Sequence, residues 1–250
     1  MEECQMELTI LAFLNGFSEL CLVLLGVFYC IRFIIYYAKR RKNLEPPIAL
    51  LALTLGLMHL GGATAFVMKL FWGLDLDIYV YGFLSYIHIP LGWTLAVYLG
   101  YEIFNPKLKW WMVSIYTILG IGYVIAMIGW PSVMITGTTL VTNEVVDVNL
   151  SHVALAITII YLVSAVLVLG ANFLVIRVKM NEKESAIKKK ALLIGIGWIL
   201  FSLAGLLCTV NPYNITIVPN TMSFVAFTLI FTGFKPMKED TKGLEMKTEE

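Results

Sequence analysis

VALAITIIYLVSAVLVLGANFLVIRVK, residues 153–179, runs from Val153 to Ile176 without a charged side chain. Coiled as an α-helix at about 1.5 Å per residue, such a run crosses the ~30 Å hydrocarbon layer of a bilayer. A sheet is excluded, because an open edge would strand backbone polar groups in lipid and a barrel would need short alternating segments. The stretch reads as a transmembrane helix, and six more segments share its character: about 8–36, 48–70, 78–101, 110–130, 190–210 and 215–234, with this one at 150–176. The expected fold is an all-α integral membrane protein, a seven-transmembrane helical bundle. The first segment is long enough to tilt or to emerge from the membrane at one end.

Composition agrees. Of 250 residues, 59% are hydrophobic and only 14% charged, against about 25% charged in soluble domains. The apolar runs leave no room for a water-soluble module, so residues 1–237 read as one membrane domain and 238–250 as a charged, disordered tail. A net charge of +1 gives no case for nucleic-acid binding. The N-terminus, MEECQMELT, lacks the basic region of a secretory signal and reads as a translocated end.

Basic residues set the direction of threading. KRRK at 39–42, Lys107, Lys109, Arg177, Lys179, Lys183, KKK at 188–190 and the lysines from 235 onward join Arg32 on one side. Of 18 basic residues only Lys69 falls on the other. The N-terminus is therefore expected outside and the C-terminus in the cytoplasm, in the cell membrane. Breakers support the segment boundaries: EPP at 45–47, NPK at 105–107, WPS at 130–132 and NPYN at 211–214. The loop at 131–149 is expected to form a short hairpin or to lie on the bundle. Asn149 and Asn214 open glycosylation sequons, and Cys4 and Cys208 fall where a pairing is open to them. The four cysteines have no metal-ligand spacing. Lys69 is expected in a solvated ion pair with Asp75 or Asp77, and Glu102 beside Lys107 and Lys109 at the membrane edge.

An ionisable residue within a span is a functional candidate with a partner to be named. Glu19, His59 and His88 each lie about ten residues into spans one to three, roughly 15 Å below one boundary. Sequential spans pack as neighbours, so the three are expected to share a plane, with Glu19 paired to His59 or His88. Asn15 stands one turn above Glu19, and Tyr81 and Ser85 lie above His88. Asn220 and Ser223 of span seven are placed to line the same space, with Trp93 as a wall. HLGG at 59–62 supplies Gly61 and Gly62 for close helix approach.

Four chemistries suit that layer: a structural hydrogen-bond network; a mostly apolar ligand pocket with convergent polar groups; proton transfer by Glu19, His59 and His88 as catalytic groups; or a metal or haem. The last lacks any HExxH or paired-histidine spacing, and no metal or cofactor is expected. Retinal chemistry of the microbial kind needs a lysine midway along span seven, where NTMSFVAFTLIFTGF stands instead. No phosphate-binding loop, dinucleotide fingerprint or inverted repeat is present.

GLDLDIYVYGFLSYIHIPLGW, residues 73–93, resembles a segment of the hydratase-like membrane proteins of carotenoid biosynthesis. That family has several spans, with a G-x-Y-x-Y segment leading to a proline and an L-x-W in the next helix. The resemblance implies hydration of a long polyene and carries over Tyr79, Tyr81, Pro90 and Trp93. The chain departs from the pattern at HLGG, where a glutamate would serve proton chemistry, and at His88.

Together these residues point to a ligand-binding or sensor-like bundle whose outer half holds a lipid or isoprenoid-like molecule. The alternatives are a membrane enzyme acting on a lipid or polyene by proton transfer, and a small-solute transporter. Membrane lipids are expected partners, and the basic segment 177–190 is exposed enough to meet a cytoplasmic protein. The sequence sets no oligomeric state.

Overall fold

The computed structural model describes residues 8–138, 148–180, 185–210 and 216–236. Its elements are α1 (Ile10–Arg40), α2 (Glu45–Leu57), α3 (Leu60–Trp72), α4 (Ile78–Tyr86), α5 (Ile89–Phe104), α6 (Pro106–Gly129) and α7 (Pro131–Met134). Strands β1 (Ile135–Thr138) and β2 (Val148–Leu150) follow, then α8 (His152–Ala165), a π-helical turn (Val166–Ala171), α9 (Asn172–Lys179), α10 (Ser185–Val210) and α11 (Ile217–Phe234). Six stretches are long and apolar enough to cross a membrane: α1, α4 with α5, α6, α8 through α9, α10 and α11. Helices α2 and α3, bent by 47° at their junction, complete a seventh when counted as one span. The chain is a multi-pass helical membrane bundle, and its one departure from all-α among the described residues is the antiparallel β1–β2 pair, with Ile135 opposite Leu150 and Thr136 opposite Asn149. This places the expected hairpin; Cys4, Asn214 and the tail from 238 lie outside the described residues.

Two spans expected to be continuous are broken, each at a histidine. His59 precedes α3, and its N–H bonds to Gly56 O, three residues back. Gly61 and Gly62, weak helix formers, follow at once. His88 precedes α5, where Pro90 has no N–H to offer the Tyr86 carbonyl.

The helices close a ring. α1 lies along α2 and α3 and meets α11 on its other side; α2 packs on α5, α5 on α6 and α8, and α10 on α8, α9 and α11. Glycines set the closest approaches. A Cβ built on Gly26 of α1 would stand 2.7 Å from Gly56 Cα of α2 and 2.8 Å from Ala52 O. Backbones meet there without side chains between them, the usual basis of tight helix contacts in lipid.

The interior is aromatic at mid-depth. Trp93 and Tyr161 stack with centroids 6.2 Å apart and planes 4° from parallel. Trp198 lies 5.9 Å from Trp93 and 5.9 Å from Phe201, and Phe201 continues to Phe227 at 5.5 Å. The exterior is apolar: Ile118, Ile121, Ile125 and Ile128 of α6 are all exposed. Trp110 and Trp111 at one end of α6 and Trp130 just beyond the other are exposed as well. About 19 helical residues separate these tryptophans, or about 29 Å, which matches two interfacial aromatic belts flanking a hydrocarbon layer. The belt near Trp130 marks the hairpin end of the bundle. The other marks its basic end, where Lys39, Arg40, Lys107 and Lys179 lie.

Segment 150–176 is not a uniform helix. The π turn at Val166–Ala171 interrupts it beside Gly195 of α10 and Gly100 of α5. Asn172, a polar residue deep in an apolar run, donates through Nδ2 to Val168 O at 3.0 Å. Its side chain serves a carbonyl of the wide turn, where regular helical bonding is disturbed.

Candidate functional site

Glu19 is midway along the hairpin-end half of α1, and His59 sits at the α2–α3 break. Glu19 Oε2 and His59 Nδ1 are 2.6 Å apart, with 15% and 13% of the side chains exposed. What allows the meeting is the glycine pair after His59. A Cβ at Gly62 would stand 3.0 Å from Glu19 Cγ and 3.1 Å from Cδ, so α3 passes α1 with the carboxyl group pressed to its first turn. A Cβ at Gly61 would stand 2.5 Å from Tyr81 O and 2.1 Å from Ser85 Oγ, so the other side of the same turn abuts α4. The carboxyl group thus lies beside the N-terminus of α3, whose peptide dipoles favour negative charge there.

Helix α11 holds the other carboxyl oxygen. Asn220 Nδ2 donates to Glu19 Oε1 at 2.9 Å and to Ser18 Oγ at 2.8 Å. Ser18 Oγ donates in turn to Asn15 O at 2.6 Å. Asn15 Oδ1 accepts from Ile217 N at 2.9 Å, at the first turn of α11. Asn15 therefore supplies, from another helix, the oxygen that a capping residue ordinarily gives to an unpaired helical N–H. It is a joint between α1 and α11 and does not line the cavity described next. Asn15→Ala is expected to cost about 1 kcal/mol of stability, read as a lowered thermal unfolding midpoint in micelles with ligand binding retained.

A partly open cavity of about 210 Å³ lies at this level, and Glu19 and His59 both border it. Tyr81, Ser85, Trp93 and Ser223 also line it, as does Thr158 from α8. Apolar walls come from Met58, Ile89, Leu155, Leu162 and Phe201, with Leu150 of the hairpin contributing at one end. Trp93 and Phe201, the members of the aromatic layer that border it, form its floor toward the basic end. Asn220, only 1% exposed, stands behind Glu19 instead of facing the space.

His88 departs from expectation. It is half-buried at the α4–α5 break and does not border the cavity, and no hydrogen bond links it to Glu19 or His59 among the described residues. Tyr86 and Ile89, on either side of it along the chain, line the cavity, and His88 at the same level does not. In place of the expected three-residue cluster, Glu19 and His59 form a dyad whose carboxyl group is also held by Asn220. Of the residues carried by the carotenoid-family resemblance, Tyr81 and Trp93 line the cavity, and Tyr79 is exposed. Sequence reading passed over Ser18, Thr158 and Phe201. The first two carried a visible signal, a hydroxyl inside an apolar run; the aromatic one did not.

One further expectation changes in part. Lys69 is buried, with its ammonium 2.8 Å from Asp75, so the pair is not simply solvated. Asp77 instead caps α4, its Oδ1 accepting from Tyr79 N and Val80 N. Trp198 is fully buried among the interior aromatics and does not border the cavity. Glu102 does pair with Lys109. In the segment 177–190, Arg177 and Lys179 end α9 and Lys188 to Lys190 lie on α10, while 181–184 fall outside the described residues.

Chemically, the dyad has two arrangements in which the imidazole is neutral, the first anionic and the second carrying one more proton. In one, a carboxylate accepts from Nδ1–H and leaves Nε2 as an acceptor. In the other, a carboxylic acid donates to Nδ1 and Nε2 carries the hydrogen. His59 borders the cavity with Nδ1 already engaged, so Nε2 is the nitrogen left for a ligand. Two protein ligands without a third give a metal no closed site. No protein-family model and no characterised protein matches this chain, so the reading of the site rests on its own geometry.

Proposed function

We propose that this protein is an N-outside, C-inside bundle of the cell membrane that binds a small isoprenoid or lipid-like alcohol, head group first, against the Glu19–His59 dyad. The observation that carries the reading is a backed imidazole bordering a cavity that combines apolar walls with several hydroxyl groups. Apolar walls with a few convergent polar groups are the usual form of a small-molecule site.

Size narrows the ligand. A dry cavity of about 150 Å³ holds a benzene ring, whereas drug-sized ligands occupy about 300–1,000 Å³. At about 210 Å³ the space suits a short branched chain with a polar head, or the head end of a longer molecule. A complete long polyene exceeds it, which counts against the carotenoid-like reaction within this cavity. The aromatic floor favours binding over passage through the bundle.

A second reading draws on the dyad itself. A carboxylate that orients an imidazole through Nδ1 prepares Nε2 to take or give a proton. Turnover of the bound alcohol by proton transfer would use the same residues, Glu19 as orienting group and His59 as acid–base.

Geraniol, a short isoprenoid alcohol, is the probe. Full-length protein in neutral micelles should bind it in equilibrium dialysis. His59→Gln keeps a partner for Glu19 but removes the imidazole, and should weaken binding about tenfold, the loss of one good hydrogen bond. Equal affinity in the two proteins, with both folded by circular dichroism, rejects the dyad as the recognition element.

A further inference from the structure

A second cavity, about 530 Å³, opens at the basic end and shares no residue with the first. Arg40, Arg41 and Lys42 reach it from the end of α1, Lys190 from α10, and Lys235 from just beyond α11. Among the described residues the lining supplies one carboxylate against these five cationic residues, Glu45, whose Oε1 lies 3.5 Å from Arg40 with both side chains under a tenth exposed. The wall therefore carries a clear excess of positive charge. Its remainder is mostly apolar, including Ile48, Leu99 and Phe234.

Backbone geometry adds an independent mark. Arg41 has φ 52, the only positive φ outside glycine among the described residues. It caps α1, with its N–H bonded to Tyr37 O, at a position where glycine is the usual occupant. Helix-end electrostatics do not require it, since Lys39 and Arg40 already occupy the last turn of α1. Left-handed backbone held by a bulky residue concentrates where the side chain has work to do.

We propose that this cavity binds the phosphate group of an anion that also presents apolar surface to the wall. Cationic side chains on three chain segments line it: Arg41 and Lys42 after α1, Lys235 after α11, Lys190, whose ammonium also donates to the Lys235 carbonyl, and Arg40, which is paired with Glu45. The volume falls in the range of ligand sites. A phospholipid head group and a soluble phosphate ester share this chemistry, and basic pockets between spans suit the former.

The full chain in neutral micelles is titrated with short-chain phosphatidylglycerol, the matching phosphatidylcholine and glycerol 3-phosphate, and dissociation constants are read by calorimetry. Tighter binding of phosphatidylglycerol than phosphatidylcholine, without competition from glycerol 3-phosphate, supports the site with a lipid as its source. Direct binding of glycerol 3-phosphate supports it with a soluble ester. In either case Arg41→Gly and Lys42→Gln should each weaken binding about fivefold, as expected for one cation at a membrane surface. Glycine adopts the left-handed cap freely, so Arg41→Gly should unfold no earlier than wild type. A double variant of the exposed Lys107→Gln and Lys179→Gln should leave affinity unchanged. The proposal is overturned if the two lipids bind equally and glycerol 3-phosphate does not bind. It is also overturned if both cavity variants bind as wild type, or if the exposed double variant loses as much affinity.

Discussion

Replacing Gly61 by alanine will destabilise the bundle by about 3 kcal/mol, the upper part of the range for an overpacked interior, and will also disable the cavity. The added methyl carbon would stand 2.5 Å from Tyr81 O and 2.1 Å from Ser85 Oγ. A serine hydroxyl can rotate away, but a backbone carbonyl moves only with its helix. Helix α4 must therefore separate from α3, carrying Tyr81 and Ser85 with it and loosening one wall of the site. Gly122→Ala is the control, because its methyl group meets nothing within 4 Å and alanine favours helix by about 1 kcal/mol. Thermal unfolding in micelles should separate the two variants widely. Coincident midpoints would show that α3 and α4 do not touch in this way.

Glu19→Leu should be comparably costly for a different reason. Leucine approximates the volume but accepts no hydrogen bond. His59 Nδ1 loses its partner at 2.6 Å, and Asn220 Nδ2 keeps only Ser18. Removing one member of a buried pair costs about 3–5 kcal/mol. Partial exposure of both side chains places this case at the low end, about 3 kcal/mol. Glu19→Gln should cost much less, since an amide still offers an oxygen to one of the two donors. Chemical denaturation should order the proteins wild type, Gln, Leu, with geraniol affinity lost in the leucine variant. If Leu is as stable as wild type, the dyad is not holding α1, α3 and α11 together.

Much of this was visible in the residues. Uncharged runs such as Val153–Ile176 identify spans because lipid leaves the backbone no other way to satisfy its polar groups. Depth alone, counted along neighbouring helices, offered Glu19 either His59 or His88 as a partner and did not choose between them. His88 shows where depth fails. Tyr86 and Ile89 on either side of it line the cavity while His88 does not, because depth along a helix does not fix the direction in which a side chain points. The breaks at His59 and His88 had local signals, Gly61–Gly62 and Pro90, that read as packing and as a proline tolerated within a span. Asn220 was placed at the site, but its role behind the carboxyl group depends on the α1–α11 contact, between helices at opposite ends of the chain. The basic-end cavity was hidden because its cations look, in sequence, like any residues obeying the insertion rule.

The wide turn at Val166–Ala171 settles a question of phase. Tyr161, Ala165, Leu169 and Phe173 are all buried, each four residues after the last. In a regular helix of 3.6 residues per turn every such step overshoots by about 40°, so three steps would swing Phe173 by about 120° toward lipid. The extra backbone in the turn absorbs that drift and keeps one straight seam against α5 and α10. Excising a single residue there would bring Tyr161 and Phe173 to within about 20° of three full turns of a regular α-helix, so both halves should keep their facing while the wide turn itself disappears, whereas an excision outside the turn would swing one half toward lipid.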